Sequence, residues 1–117
     1  MSYSSPVLAT PKEVIVFRTR SGDVPFEAWL NDLADKKATA RVLARVARVR
    51  QGNLGDWKSV GEGVSELRVD YGPGYRVYFG QSGQTLVVLL CGGDKRRQDR
   101  DIRLAKEYWR EFKQNEL

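Results

Sequence analysis

Val64-Ser-Glu-Leu-Arg-Val-Asp-Tyr-Gly-Pro-Gly-Tyr-Arg-Val-Tyr-Phe79 is the stretch whose reading decides the fold. Leu67, Val69 and Tyr71 alternate with Glu66, Arg68 and Asp70, the period-two pattern of a strand with one buried face. Gly72-Pro-Gly74 is turn chemistry, and beyond it Tyr75, Val77 and Phe79 resume the apolar side, with Arg76 and Tyr78 on the other. The stretch reads as an antiparallel hairpin. Placing Tyr71 opposite Tyr75 puts Arg68 opposite Tyr78 and Asp70 opposite Arg76. A one-residue slip would turn Arg68 into the core.

Working outward, Thr85 to Cys91 is apolar on both faces and predicts a strand covered on both sides. Upstream, residues 54–63 read as a glycine-rich loop carrying Trp57 and Lys58. Before it, Val42, Val46 and Val49 make the buried stripe of a helix over Ala38–Arg50, with Arg41, Arg45 and Arg48 on a different face. Phe26, Trp29, Leu30 and Leu33 fall at helical spacing after Pro25, a residue suited to a first helical turn. Glu13–Phe17 predicts the first strand, and residues 1–11 are expected to be loose. Over Asp94–Asn115, Ile102, Ala105, Trp109 and Phe112 mark the stripe of a last helix. The expected order is β-α-α-β-β-β-α: a single α+β domain over residues 1–117, with two helices on one face of an antiparallel sheet. The other face of the hairpin is expected to stay polar.

Composition narrows the chemistry. The chain has 117 residues, with 20 Lys and Arg against 15 Asp and Glu, a formal charge of +5. Such an excess favours a polyanion or an acidic partner. Histidine is absent, which removes a His base, a His-activated nucleophile and a His metal ligand. Cys91 is the single cysteine, excluding an internal disulfide or a cysteine zinc cage. The apolar run Leu86–Cys91 is too short to span a bilayer. The N-terminus lacks a signal peptide's basic start and apolar centre, so a cytoplasmic address without membrane contact is expected.

Glu66, Arg68, Arg76 and Tyr78 share the polar side of the hairpin, Lys95, Arg96 and Arg97 follow the last strand, and Lys58 precedes the hairpin. Guanidinium groups grip phosphate oxygens, and a tyrosine offers a plane on which a base stacks. The set fits a phosphodiester. In RNA the matching reaction is attack by the ribose 2′-OH, which needs a proton acceptor, a proton donor and positive charge, and neither metal nor cofactor. The acceptor would be Glu66, a lysine (Lys58 or Lys95) whose pKa neighbouring cations lower, or a tyrosine. No acid lies between Lys36 and Arg50, so Arg41, Arg45 and Arg48 form a second RNA-binding candidate. Against these stand plainer readings: an Asp70–Arg76 cross-strand ion pair, a solvated helix face, and core roles for Trp29, Trp57, Trp109 and Cys91.

The ordered set Glu66-Leu-Arg68, Gly74-Tyr-Arg76-Val-Tyr78 and Gly92-Gly-Asp-Lys95, followed by a basic C-terminal helix, resembles the RelE/ParE toxin superfamily. Within it the closest resemblance is to the addiction-module killer proteins described as HigB-like, over about Val14 to Phe112. The resemblance implies a type II toxin checked by a protein antitoxin, usually a helix-turn-helix repressor, with operator DNA reached only through that antitoxin. It further implies ribosome-dependent mRNA cleavage by the metal-free 2′-OH route. Arg76 matches the arginine on the scissile phosphate, Arg68 a basic position on the preceding strand, and Lys95 with Arg96 the basic pair after the last strand. Two positions depart from the pattern. Glu66 stands where another basic residue is usual, as a base or as a partner holding Arg68, and Ile102 lies near the place of a tyrosine found in some members. The alternatives are a ParE-like inhibitor of DNA gyrase and a toxin-like interaction module without catalysis.

Overall fold

Alternation over residues 64–79 produces a hairpin at the centre of a wider sheet. The computed structural model describes residues 10–116, so the expectation for the N-terminal segment falls mostly outside the described residues. Along the chain lie β1 (Glu13–Val16), α1 (Pro25–Asp32), α2 (Lys36–Arg50), β2 (Trp57–Gly61), β3 (Val64–Val69), β4 (Tyr75–Ser82) and β5 (Leu86–Asp94). A 3-10 turn (Lys95–Arg97) then leads into α3 (Gln98–Asn115). The sheet order is β1-β5-β4-β3-β2; β1 runs parallel to β5 and the other pairs are antiparallel. The fold is α+β with a five-stranded mixed sheet and three helices.

Three expectations need correction. The presumed loop over residues 54–63 contains β2, which pairs Trp57 with Leu67 and Lys58 with Glu66. Gly55 and Gly63 flank β2 and Gly61 ends it, and this density of glycine hid a short strand of an ordinary edge type. The sheet is mixed because β1 joins β5 in parallel after the α1–α2 crossover. Third, the hairpin register is shifted by two residues: Val69 lies opposite Tyr75, Arg68 opposite Arg76 and Glu66 opposite Tyr78. Facing is preserved by an even shift, but Arg68 and Arg76 become neighbours and the expected Asp70–Arg76 pairing does not form. Tyr71 leaves the strand for the turn, where its hydroxyl donates to Asp35 Oδ2 at 3.1 Å.

Asp35 also sets the start of α2, accepting from the amides of Lys37 and Ala38 at 2.9 and 3.4 Å. That cap begins the helix at Lys36 rather than at Ala38. α1 and α2 cover one face of the sheet, with Phe26, Leu30, Val42 and Val46 packed against Leu67, Val77, Phe79 and Leu89. α3 covers the other, placing Ala105 and Trp109 against Val64, Tyr78, Val88 and Leu90. The second face is therefore not left open. α3 has its own apolar stripe to bury, and docking it closes over the polar positions of the hairpin. Among the described residues no helix is long and apolar enough to cross a membrane.

Candidate functional site

Glu66 is fully buried, with an exposure of 0%. A carboxylate in that position needs partners, and the register shift supplies them. Arg68 Nε donates to Oε2 at 3.1 Å, and Gln98 Nε2, from the first turn of α3, donates to Oε1 at 2.7 Å. Arg76 Nε lies 3.3 Å from Oε1, close enough for an ion pair but not aligned for a hydrogen bond. One buried anion thus holds two arginines from adjacent strands side by side. Without it their charges would repel.

Both arginines line a cleft of about 330 Å³ at the β3–β4 turn, together with Lys95, Asp56 and Asp70. Lys95 is tied there through its backbone amide, which donates to Gly74 O at 3.1 Å. Asp56 is fixed from the other side of the sheet. Arg45 reaches from α2 to donate Nη2 to Leu54 O at 3.0 Å and to Asp56 O at 3.1 Å, and Nε to Arg68 O at 3.2 Å. Gly55 is required beneath this clamp, because a Cβ there would sit 2.8 Å from Arg45 Nη1 and its φ is +62°. Burial, and after it the charge of Arg48, lowers the pKa of Arg45 from its ordinary value.

The expected site residues therefore divide. Arg68, Arg76 and Lys95 come together at one cleft. Glu66 lies beneath it with its oxygens occupied, which fits the pairing role and leaves it no access to a bound phosphodiester. Arg45 is not a surface RNA contact but a buried clamp on three carbonyls. Its neighbours on α2 separate from it: Arg41 stacks 5.0 Å above the Tyr71 ring and Arg48 is exposed, neither lining the cleft. Tyr78 is corrected most firmly. It is fully buried under α3, its hydroxyl has no hydrogen-bond partner, and burial with the Glu66 and Asp101 charges pushes its pKa well above the usual 10. It is neither a stacking plane nor a proton acceptor. Lys58 is exposed on β2 across from Glu66, outside the cleft lining. Arg96 is held by the Asp94 carboxylate at 2.9 Å, while Arg97 is exposed and unpaired among the described residues.

Asp56 and Gln98 were not read from the sequence as site residues. Neither carries a periodic signal; each acquires a role only through the element that packs beside it. Among the described residues no three Asp, Glu, Cys or His side chains gather as a metal cage.

No protein-family model matches the chain. An uncharacterized protein of Haemophilus influenzae is 52% identical over 81 residues, a match spanning 69% of this chain and 82% of that protein. The chain belongs to that protein's family. The name of this family member states no activity, so the chemistry has to be argued from the cleft.

Proposed function

We propose that the protein is a RelE-like toxin of a type II toxin–antitoxin pair, cutting mRNA at the ribosome with the Arg68–Arg76–Lys95 cleft as its phosphodiester site. The observation that carries this reading is the convergence of three cations from three separate elements on one cleft, two of them held in place by a buried carboxylate. Arg68 and Arg76 would grip the non-bridging phosphate oxygens. The 2′-OH attacks phosphorus, forming the 2′-oxygen–phosphorus bond as the bond to the 5′-oxygen breaks. A 2′,3′-cyclic phosphate and a free 5′-OH result. With Glu66 enclosed, one of the two carboxylates at the cleft, Asp56 or Asp70, would take the 2′ proton, and the Lys95 ammonium would protonate the departing 5′-oxygen. The cations offset the charge that grows on the pentacoordinate phosphorus. An α+β fold with a five-stranded mixed sheet and three helices supports this reading. The implied partner is an antitoxin, a helix-turn-helix protein with an acidic segment that would cover the basic surface in the cytoplasm.

A second reading, a toxin-like module that binds without cutting, is favoured by Tyr78 being buried and by Ile102 standing where some similar proteins carry a tyrosine. The test is induced expression of the wild type beside Arg76→Ala, with growth followed and 5′ ends of cellular mRNA mapped. Growth arrest with new in-frame mRNA ends, both lost in Arg76→Ala, is the expected result. Arrest without cleavage would move the target to gyrase or elsewhere. No arrest would leave the binding module.

A further inference from the structure

Arg76 Nε is a buried donor without a hydrogen bond, although Glu66 Oε1 lies 3.3 Å away. Leaving a buried N–H unpaired is costly, and a carboxylate oxygen has two lone pairs to offer, so the near miss calls for a cause. Gln98 supplies one. Its Nε2 donates to the same Oε1 at 2.7 Å, while Arg68 Nε donates to Oε2 at 3.1 Å. Both oxygens are held by other donors, and the Gln98 bond is the shorter of the two. The carboxylate plane they set leaves Arg76 Nε off its axis.

The terminal nitrogens of the two arginines gain from this. Among the described residues Arg68 donates through Nε alone, and Arg76 only through Nη1, to Gly74 O at 3.4 Å. Aligning Arg76 Nε with Oε1 would turn its guanidinium toward Glu66, and a side-on pair with a carboxylate takes a terminal nitrogen along with Nε. As it stands, the buried anion holds Arg76 by charge and takes none of its N–H groups.

Gln98 is placed by the same turn that delivers Lys95. Asp94 caps that 3-10 turn, accepting from the Arg96 amide at 2.9 Å, and the Lys95 amide is tied to Gly74 O at 3.1 Å. Gln98 follows directly as the first residue of α3. One short segment thus sets a cation in the cleft and a donor on the carboxylate beneath it.

We propose that Gln98 is a positioning residue: its amide orients the Glu66 carboxylate so that Arg76 is held by charge alone, and the terminal nitrogens of Arg68 and Arg76 stay free for the non-bridging oxygens of one phosphoryl group. The inference rests on the reading of the cleft as a phosphodiester site and names the residue that keeps it open. Without the Gln98 amide, Arg76 closes on Oε1 and the cleft loses a donor to an internal ion pair.

Arginine Nε–H NMR of the full chain tests this, with the free protein and a titration with inorganic phosphate compared for the wild type, Gln98→Met and Gln98→Asn. Methionine keeps the side-chain length without the donor; asparagine keeps the amide but is one methylene short of Oε1. In either variant the Arg76 Hε resonance is expected to move downfield and exchange more slowly as its bond to Glu66 forms. Phosphate affinity should fall ~10-fold, because a hydrogen bond to a charged group must then be given up. Gln114→Met, near the exposed end of α3, should change neither. A merely structural Gln98 would lower the melting temperature and leave the Arg76 Hε where it is. That unmoved resonance, a phosphate affinity equal to the wild type's, or a wild type whose Arg68 and Arg76 resonances ignore phosphate would each overturn the proposal. Should one variant not fold, the other decides. The Nε–H reading needs no RNA: a Gln98-dependent Arg76 without Arg76-dependent cleavage would sink only the nuclease, and cleavage with an unmoved Arg76 Hε only the role of Gln98.

Discussion

The two faces of the central sheet are built on different terms. Under α1 and α2 every buried contributor from β3, β4 and β5 is apolar, with Leu67, Val77 and Leu89 meeting Val42 and Val46. Under α3 the sheet has an apolar half, where Trp109 covers Val64 and Val88, and an ionic half, where Glu66 gathers Arg68, Arg76 and Gln98. Apolar burial is non-directional and its contributions are spread over many residues. A buried carboxylate is directional: it dictates where its two guanidinium groups sit and is of little value without them. The first face holds the chain folded. The second also holds like charges close together, an arrangement that suits an anionic ligand.

Truncations on the two faces should therefore differ in kind as well as size. Trp109→Ala removes the large anchor of α3 and should have the largest effect, about 3–5 kcal/mol in chemical denaturation. Leu67→Ala, on the opposite face, should lower stability by about 2–5 kcal/mol while leaving the proposed mRNA cleavage, per folded molecule, unchanged. A drop in that specific activity would show that the faces are not independent. Its chain neighbour Glu66→Gln is the sharper comparison. Because the Arg68 side chain is 37% exposed, solvent screens part of the lost pairing, and the change in stability belongs at the low end of about 1–3 kcal/mol. The proposed cleavage should nonetheless fall to the level of Arg76→Ala, because the arginines lose their spacing.

The smallest effects are those of pH. Hydrogen bonds from Arg96 hold the Asp94 carboxyl below the usual 3.8. Its stabilising contribution is present above that value and lost as pH falls through its folded pKa. Burial raises Asp101, so its contribution has the opposite sense, full below 3.8 and lost as pH rises through the folded value. Thermal melts from acid to neutral pH should show Asp94→Asn flattening the acid-side loss and Asp101→Asn gaining stability toward neutral pH.

Much of the layout was legible because apolar periodicity reports local facing. Leu67, Val69, Tyr75 and Val77 announced the core side of the hairpin, and Val42, Val46 and Val49 that of α2. The alternation also placed Glu66 with Arg68 and Arg76 on one face. It did not reveal β2, whose exposed edge carries no buried stripe, with Trp57 left 43% exposed. Nor did it place Arg45, which shares a basic pattern with Arg41 and Arg48 yet turns inward. Backbone carbonyls at Leu54, Asp56 and Arg68 draw it in, and a sequence pattern contains no record of such acceptors.

The sequence by itself determined an α+β chain, a hairpin with Arg68 and Arg76 on its polar face, and a chemistry without histidine. These follow from residue identity and from spacings within single elements. Only the tertiary structure decided that α3 closes over that polar face, that a two-residue register shift sets Arg68 beside Arg76, and that Gln98 completes the Glu66 cluster. The physical reason is that burial and ion pairing depend on which distant element arrives. Charge on an open face is hydrated and nearly indifferent to its neighbours. Once a helix covers it, every donor and acceptor must find a partner.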